Sequence, residues 1–502
     1  MTELTTREAV YAKRQTLKPR TRAFIDGDFV EAADGARFAN ESPVDGQVLA
    51  HVAACQSADV DAAVASARRA FESGVWRDMA PKDRKRILLR VADVLEAHAD
   101  ELALLETLDV GKPIGDSRSV DIPNAVACFR WFAEIADKLY DEVAPSPPDV
   151  VATITREPVG VVAAVTPWNF PLMISAWKLA PALAAGNAVV LKPAEQAPLT
   201  CLRAAELAVE AGLPPGVLNV VPGYGETAGQ ALGRHMDVDH LAFTGSAPVG
   251  KLFLKYAGES NMKPVSLECG GKTPNIVLAD AEDLDAIAEN VAWGIFFNQG
   301  EVCNAGSRLL VQADLHDALL ERILRIAREI APGDPLDPAT RLGAIVDREQ
   351  MNRVLDYIRL GREEGAQLAV GGNAARTGSG GYYLEPTVFD RVDNRMRIAQ
   401  EEIFGPVLAT VTFKDVADAI RIGNDTIYGL AAAVWTKDID KAHRIAKALR
   451  AGNVWVNCWD GGDMGTPFGG YKQSGFGRDK SHHAIDKYVN LKTTWIQLRG
   501  GA

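Results

Sequence analysis

Short runs of apolar, often β-branched residues alternate with longer segments of helical periodicity along most of the chain. VGVVAAV (159–165) predicts a buried strand, a helix follows from Leu172 to about Ala185, and AVVL (188–191) predicts the next strand. VLNVV (217–221) and HLAF (240–243) continue the pattern, each followed by helical sequence. Strands that alternate with helices in this way are typical of parallel α/β sheets.

A second series of predicted strands occupies the carboxyl-terminal half. It begins with VSLE (265–268) and continues through NIVLA (275–279), RLLVQ (308–312), VLATVTF (407–413), GLAAAVW (429–435) and VWVN (454–457). Helices are predicted at 282–297 and 315–331. The two series predict two nucleotide-fold-like halves with a boundary close to Gly270 and Gly271.

Two segments fit neither half. DVVATITR (149–156) alternates apolar and polar residues, as a half-exposed antiparallel strand does, and KTTWIQL (492–498) is similar. We expect them to form a small extra sheet that extends to another subunit.

Composition narrows the class of protein and of partner. The 502 residues correspond to about three domains, and 47% hydrophobic with 24% charged residues is ordinary for a globular chain. With 54 Lys and Arg against 66 Asp and Glu, the net charge of −12 disfavours nucleic-acid and anionic-membrane partners. The longest apolar region, Val159 to Leu191, is interrupted by TPWNFP and Lys178, so no membrane helix is predicted. The six cysteines lack metal-type spacing and the amino terminus lacks an apolar signal, so we expect no metal site and a cytoplasmic location.

Two glycine-rich turns are candidate phosphate sites. GYGETA (223–228) fits the dinucleotide pattern G-x-G-x-x-A, but it also fits a plain turn. FTGSAPVG (243–250) joins a strand to a helix, and Ser246 is either a simple helix cap or part of an anion site at that helix terminus.

Three further segments carry the reactive groups. They are FFNQGEVCNAGSR (296–308), SLECGGK (266–272) and TPWNFP (166–171). Alone, each has a structural explanation, such as a core cysteine, a strand end or a turn. Together they supply a thiol nucleophile, a carboxylate base and an amide donor, which are the groups needed to oxidise a carbonyl through an acyl-enzyme.

With VLKPAE (190–195) and EEIFGPV (401–407), these segments closely resemble the aldehyde dehydrogenase superfamily over essentially the whole chain. The resemblance implies two Rossmann-like parallel-sheet domains and a small antiparallel oligomerisation sheet. It implies an NAD-binding domain (1–140 and 157–270), a catalytic domain (271–477) and an oligomerisation domain (141–156 and 478–502). It also implies a homo-oligomer, either a dimer or a tetramer.

The resemblance assigns the catalytic roles. Cys303 matches the nucleophile, which attacks the aldehyde, and we expect local amides and the cofactor's positive ring to favour its thiolate. Asn169 and the Cys303 backbone N–H match the oxyanion hole, and Glu268 matches the base that activates water to hydrolyse the thioester. Lys192 completes the catalytic set. Members that acylate coenzyme A typically lack the glutamate, so Glu268 favours hydrolysis.

The resemblance also implies a nicotinamide cofactor. A carboxylate at Glu195 that accepts from the ribose hydroxyls would repel a 2′-phosphate, so NAD is favoured, with NADP possible. For Lys192 and Glu195 the alternative is a solvated helix start. The candidate cofactor residues are Thr166, Trp168, Lys192, Glu195, Gly225, Gly245, Ser246, Val249, Glu402 and Phe404.

The substrate prediction rests mainly on the tail, PFGGYKQSGFGRDKSHHAIDKY (467–488). It resembles the branch that oxidises ω-aminoaldehydes such as γ-glutamyl-γ-aminobutyraldehyde or 4-guanidinobutyraldehyde. Aromatic walls and acidic anchors suit such a cation. The candidate walls are Phe170, Trp177, Phe297 and Trp459, and the candidate anchors are Asp109 and Asp121. Core packing is the alternative for the aromatic residues, and a solvated or capping role is the alternative for the aspartates.

Two other functions are compatible with parts of this sequence. A broad-specificity or betaine-type aldehyde dehydrogenase would carry the same catalytic groups. A non-catalytic binding or structural protein on this fold, like the lens crystallins related to this family, would not need them.

Overall fold

The computed structural model describes residues 4–499, and the parts of the domain predictions that cover 1–3 and 500–502 lie outside them. The strands are β1 (Ala23–Ile25), β2 (Asp28–Val30), β3 (Arg37–Glu41), β4 (Val48–Ala53), β5 (Glu142–Ala144), β6 (Val150–Pro158), β7 (Val161–Val165), β8 (Ala188–Lys192), β9 (Leu218–Val220), β10 (His240–Gly245), β11 (Val265–Cys269), β12 (Pro274–Val277), β13 (Arg308–Gln312), β14 (Gln367–Val370), β15 (Ala374–Ala375), β16 (Tyr383–Leu384), β17 (Thr387–Asp390), β18 (Val407–Phe413), β19 (Ala431–Trp435), β20 (Asn453–Val456), β21 (Gly475–Phe476) and β22 (Val489–Gln497).

The helices lie between these strands. They are α1 (Arg7–Thr16), α2 (Ser57–Glu72), α3 (Pro81–Ala97), α4 (Ala99–Val110), α5 (Ile114–Asp116), α6 (Ile122–Ala136), α7 (Pro171–Ala184), α8 (Leu199–Glu210), α9 (Gln230–Arg234), α10 (Ala247–Gly258), α11 (Leu284–Phe296), α12 (His316–Glu329), α13 (Arg348–Glu363), α14 (Arg397–Gln400), α15 (Val416–Asn424) and α16 (Ile439–Ala448).

The first sheet has eight strands in the order β2-β1-β9-β8-β7-β10-β11-β21. The five strands from β9 to β11 run parallel, so their carboxyl ends meet at one edge. Every residue of β7 and β8 is buried, because helices cover both faces, and this explains their continuous apolar sequence.

The second sheet has seven strands in the order β14-β17-β18-β13-β12-β19-β20. All neighbours from β17 to β20 pair parallel. The predicted two parallel-sheet halves are therefore confirmed, with one correction. VSLE does not begin the second series, because β11 pairs with β10 in the first sheet.

The third sheet has the order β22-β6-β5 and is antiparallel, as the alternation in both segments predicts. Nine residues of β22 pair with nine of β6, from Val489 opposite Pro158 to Gln497 opposite Val150. Leu491 and Trp495 of β22 are 65% and 60% exposed. This sheet therefore presents apolar side chains to its surroundings.

No helix among residues 4–499 combines the length and the apolar character that a membrane crossing requires. The same residues contain no group of three or more His, Cys, Asp or Glu side chains placed to hold a metal ion.

Candidate active site

A cavity of about 170 Å³ lies where loops from the two parallel sheets meet. Its lining brings together the three predicted reactive residues, Asn169, Glu268 and Cys303. The other lining residues are Pro167, Trp168, Ile174, Thr244, Gly245, Ser246, Gly270, Gln350, Arg353, Glu402 and Phe404.

The loop that carries Cys303 is held by buried polar contacts. After α11 the chain enters left-handed conformations at Asn298 (φ 46°) and Gln299 (φ 58°), followed by Gly300 (φ 72°). Gln299 Oε1 accepts the Gly343 N–H at 2.9 Å, and Glu301 Oε1 accepts the Val346 N–H at 3.1 Å. Such conformations persist only where the surroundings compel them, so the thiol is held at a defined place.

The Asn169 side chain is 2% exposed and lies on the loop that follows β7. One N–H of its amide donates to the Glu301 carbonyl at 2.8 Å. An amide nitrogen has two hydrogens, so one remains for a negative oxygen in the cavity.

The thiol of Cys303 is not activated by the chain alone. Burial raises its pKa, and the negative charges of Glu402, Asp460 and Glu268 raise it further. A backbone N–H at Asn304 acts in the other direction but more weakly. The expectation that local amides and the cofactor's positive ring together favour the thiolate stays a prediction, because without the cofactor the surroundings raise the pKa of this thiol.

Glu268 has the features of a general base. It is 4% exposed, and neither carboxylate oxygen has a hydrogen-bond partner among the described residues. Burial raises its pKa well above the usual value and the charge of Asp479 adds to the rise, whereas Lys178 and Lys487 oppose it. A base whose pKa is raised toward neutrality is matched to proton abstraction from water.

Behind Glu268 lies a buried cluster of charges that the sequence analysis did not identify. Asp479 is fully buried and forms ion pairs with Lys178 of α7 and, at 2.5 Å, with Lys487. Lys178 is the single charged residue of α7, and its position in that helix was the one feature of the sequence that indicated this cluster.

The predicted cofactor residues lie mainly at the carboxyl edge of the first sheet. Lys192 ends β8, and its Nζ contacts Glu195 Oε2 at 3.0 Å. Thr166 follows β7, and its N–H donates to the Lys192 carbonyl at 3.1 Å. Trp168 contacts Phe404 edge to face, with ring centroids 5.2 Å apart. Of these residues, Trp168 and Phe404 line the cavity.

The arrangement fits a dinucleotide. Ser246 precedes α10 and its hydroxyl caps no backbone N–H. The hydroxyl and the backbone N–H groups at the start of α10 therefore remain available to a phosphate. Gly245 and Gly270 line the cavity without side chains, and a Cβ on Gly270 would lie 1.8 Å from Glu402 Oε1. Burial raises the pKa of Glu402 to about 7, and its carboxylate accepts the Gly271 N–H at 3.1 Å.

Five predicted cofactor residues lie outside the cavity lining: Thr166, Lys192, Glu195, Gly225 and Val249. Val249 is 39% exposed on the first turn of α10. Gly225 begins a short π-helical turn that runs to Gly229, and only five residues of α9 follow. GYGETA therefore lacks the regular helix that the dinucleotide fingerprint requires, and its geometry is that of a turn.

The predicted aromatic walls flank the nucleophile. Phe170, Trp177 and Phe297 share one apolar cluster with Met173, Ile174 and Val302, and Val302 precedes the cysteine. Phe170 and Phe297 stack with centroids 6.2 Å apart. Trp459 packs against Trp455 at 5.1 Å, and its ring fills the space beside Gly294 and Gly306.

The two predicted acidic anchors are wrong. Asp109 is fully buried and its carboxylate accepts the Leu199 N–H at 3.0 Å. Asp121 is fully buried in an ion pair with Lys112. Neither lines the cavity, because helix packing removes both from any surface.

The structure adds three residues that the motifs did not indicate. Gln350 donates to the Phe404 carbonyl at 2.7 Å, and Arg353 donates to the Glu402 carbonyl at 3.1 Å, so both hold the 402–404 segment. Asp460 accepts from the Asn304 amide at 2.9 Å, beside the nucleophile. No local pattern marks them, since each acts across a large separation in sequence.

The fold and the site together define an oxidoreductase with a cysteine-lined cavity between two parallel sheets. The model of the aldehyde dehydrogenase family matches residues 29–494, and the chain belongs to this family, whose members oxidise aldehydes.

Individual relatives are similar over nearly the full length. The structure of P. syringae indole-3-acetaldehyde dehydrogenase, solved as a mutant with NAD⁺ and IAA, is 59% identical, with a TM-score of 0.97 and coverage of 98% of this chain and 100% of that one. The structure of γ-glutamyl-γ-aminobutyraldehyde dehydrogenase from Burkholderia cenocepacia is 57% identical, with the same TM-score and coverage. PuuC of Escherichia coli, described as an NADP/NAD-dependent aldehyde dehydrogenase, is 51% identical over 97% of each chain.

Proposed function

We propose that the protein oxidises ω-aminoaldehydes to carboxylic acids with NAD, and that γ-glutamyl-γ-aminobutyraldehyde and 4-guanidinobutyraldehyde are representative substrates. The observation that carries this proposal is the shared cavity of Cys303, Asn169 and Glu268, in which neither carboxylate oxygen of the glutamate has a hydrogen-bond partner among residues 4–499. A thiol, an amide donor and a free base around one space are the groups that acyl-enzyme chemistry requires.

Addition to the carbonyl is the first step. The Cys303 sulfur bonds to the aldehyde carbon, and the carbonyl oxygen becomes an oxyanion. The free amide hydrogen of Asn169 and the backbone N–H of Cys303 stabilise that oxyanion, and one such donor is worth about 3 kcal/mol. A nicotinamide cofactor held by Glu402 and Phe404 would supply the acceptor for the hydride released from the tetrahedral carbon.

Hydrolysis of the resulting thioester is the second step. Glu268 takes a proton from water, and the hydroxide bonds to the acyl carbon. The carbon–sulfur bond then breaks, which releases the carboxylic acid and returns the thiolate of Cys303. The buried carboxylate is suited to this role because its raised pKa makes it a stronger base.

NAD is the proposed cofactor, held by the 1–140 and 157–270 segments. The Lys192–Glu195 pair supports NAD, since a carboxylate at the ribose hydroxyls repels a 2′-phosphate. Because PuuC is described as using both cofactors, the decisive measurement is the ratio of kcat/KM for NAD and NADP. Glu195→Gln should move that ratio toward NADP, and an unchanged ratio would exclude this role for Glu195.

An aminoaldehyde is supported by three observations: the aromatic cluster at the nucleophile, the nearby carboxylate of Asp460, and the Burkholderia relative. The P. syringae relative is described by an aromatic aldehyde instead, so substrate assignment needs a direct comparison. NADH formation should be measured with 4-aminobutyraldehyde, its γ-glutamyl and guanidino forms, betaine aldehyde, indole-3-acetaldehyde and a plain alkanal. Highest kcat/KM for an amino or guanidino aldehyde is expected, and a preference for the alkanal or the indole would overturn the substrate proposal.

We also propose a homo-oligomer, built through the β22-β6-β5 sheet. The exposed side chains of Leu491, Trp495 and Ile496 on β22 support it, because large apolar side chains left exposed on a sheet are commonly covered at an interface.

A further inference from the structure

Lys112 is a fully buried lysine whose ammonium lies directly behind the oxyanion loop. It stands between α4 and α5, next to a left-handed glycine at 111. Its Nζ forms an ion pair with Asp121, donates to the Asn169 backbone carbonyl at 2.8 Å, and lies 3.9 Å from the centre of the Phe170 ring. One cation thus contacts two consecutive residues of the loop that we assign to the active site.

Asp121 is the carboxylate that pairs with Lys112. Glu106 is also fully buried nearby, but burial, together with the charge of Asp121, raises its pKa to about 8. Burial also raises the pKa of Asp121, against the opposing effect of the Lys112 charge, so both carboxyl groups share one buried environment with the lysine. Glu106 Oε1 accepts the Leu172 N–H at 3.3 Å, so the group also contacts the start of α7.

The contact with Asn169 has a direct geometric consequence. The backbone carbonyl of Asn169 receives Lys112 Nζ and, at 3.3 Å, the Asn298 amide. On the side chain, one amide N–H donates to the Glu301 carbonyl. With the backbone and one amide hydrogen both held, the other amide hydrogen has a single direction available.

We propose that Lys112 is a positioning residue for the oxyanion site: its ammonium, held by Asp121, fixes the Asn169 peptide and the Phe170 ring so that the Asn169 amide meets the developing oxyanion. This inference rests on the proposed function, in which Asn169 is the oxyanion donor. Lys112 touches neither substrate nor cofactor, and its effect passes through Asn169.

A double-mutant cycle tests this dependence. Lys112→Met, Asn169→Ala and their combination are compared by the pre-steady-state rate of NADH formation in the first turnover. Asn169→Ala should slow that rate by about 100-fold or more, as loss of one oxyanion donor does elsewhere. Lys112→Met should slow it about 10-fold in the native background and by less than threefold when Asn169 is already alanine. Equal slowing in both backgrounds, or none in the native one, would overturn the inference.

A second variant protects the test from misfolding. Lys112→Met leaves Asp121 buried without a partner, whereas Lys112→Met with Asp121→Asn removes both charges, which is often tolerated. The double variant should fold, bind NAD with a dissociation constant within twofold of the native value, and show the same slow first turnover. A native rate in the folded double variant would contradict the inference.

Lys263→Met is the matched control. Lys263 is a buried lysine that donates to the Gly233 carbonyl at 2.8 Å, outside the cavity. It should lower the denaturation midpoint and leave the first-turnover rate within twofold. The outcomes also separate the two proposals: an inactive native protein would refute the proposed function, whereas an active protein that depends on Asn169 but not on Lys112 would refute only this inference.

Discussion

At the scale of single residues, the site depends on side chains whose environment changes their chemistry. Cys303 and Glu268 both have raised pKa values, because surrounding protein atoms remove water from the two groups and other acids lie close to them. Motif reasoning from the sequence identified both residues, because their neighbours along the chain are diagnostic. It did not identify Lys112 or Asp479, since burial and pairing across 301 residues, as between Lys178 and Asp479, leave no local signal.

Replacing the nucleophile should abolish the reaction without removing the cofactor cleft. Cys303→Ala should lower kcat about 10⁴-fold or more, because no other group can form the covalent intermediate. NADH absorbance with aldehyde measures turnover, and fluorescence titration measures NAD binding, which should persist. Cys458→Ala, at the other accessible thiol, is the control and should retain activity; substantial turnover by the alanine variant at 303 would contradict the mechanism.

Titration of Glu268 should lower the rate of thioester hydrolysis on the acidic side of its pH profile. Glu268 must be ionised to accept a proton, so thioester hydrolysis should slow as pH falls through its raised pKa and accelerate as pH rises. Glu268→Gln should lower steady-state kcat at least about 100-fold, while a single-turnover burst of NADH remains. Stopped-flow absorbance separates the two phases, and loss of the burst itself would assign Glu268 to an earlier step.

Asp460 should distinguish cationic from neutral aldehydes. Its carboxylate lies beside the nucleophile loop, so Asp460→Asn should raise KM for 4-aminobutyraldehyde about fivefold, corresponding to about 1 kcal/mol. KM for a plain alkanal should stay within twofold. Equal changes for both aldehydes would show that Asp460 serves the loop and not the substrate.

At the scale of elements, the site is built from strand ends and one unusual loop. The positions of β7, β8 and β10 follow from their apolar runs and helical separators, so the cleft edge could be predicted. The assignment of VSLE to the second series failed because strand order depends on pairing, and a short apolar run does not specify its neighbour. The left-handed conformations at 298–299 could not be predicted from the sequence either, because the contacts that stabilise them come from segments distant along the chain.

The nucleophile loop should not tolerate a side chain at Gly300. A Cβ there would lie 2.2 Å from the Gly405 carbonyl, and φ is 72°. Gly300→Ala should lower the unfolding free energy by about 1–3 kcal/mol and displace the thiol, so kcat should fall more than NAD affinity. Chemical denaturation and initial rates measure these effects. Gly378→Ala, whose Cβ meets nothing within 4 Å, should change neither, and an unaffected Gly300→Ala would show that the loop is pliable.

At the scale of the whole molecule, the described strands form two large sheets with parallel centres, one three-stranded antiparallel sheet and two sheets of two strands each. Length indicated about three domains, and the two odd alternating segments do pair with each other. What the sequence could not supply was the meeting of loops from both parallel sheets around one cavity, because that depends on how complete units pack.

Assembly should depend on the exposed strand. Trp495 is 60% exposed on β22, and Trp495→Glu would place a charge in the subunit interface that we propose for this sheet. We expect light scattering to show a shift toward monomer, with far-ultraviolet circular dichroism unchanged. Thr494→Glu on the same strand adds a charge at an exposed polar position and serves as the comparison; an unchanged mass for the tryptophan variant would place the interface elsewhere.

The short strand β21 has one more implication. Gly475 pairs with Glu268 and Phe476 pairs with Leu267, so β21 is joined by backbone pairing to the strand that carries the base. A motion that separated β21 from β11 would have to break this strand pairing and would disturb Glu268. We therefore expect aldehyde, acid and cofactor to enter and leave by local movement of loops, while the pairing of β21 with β11 is kept.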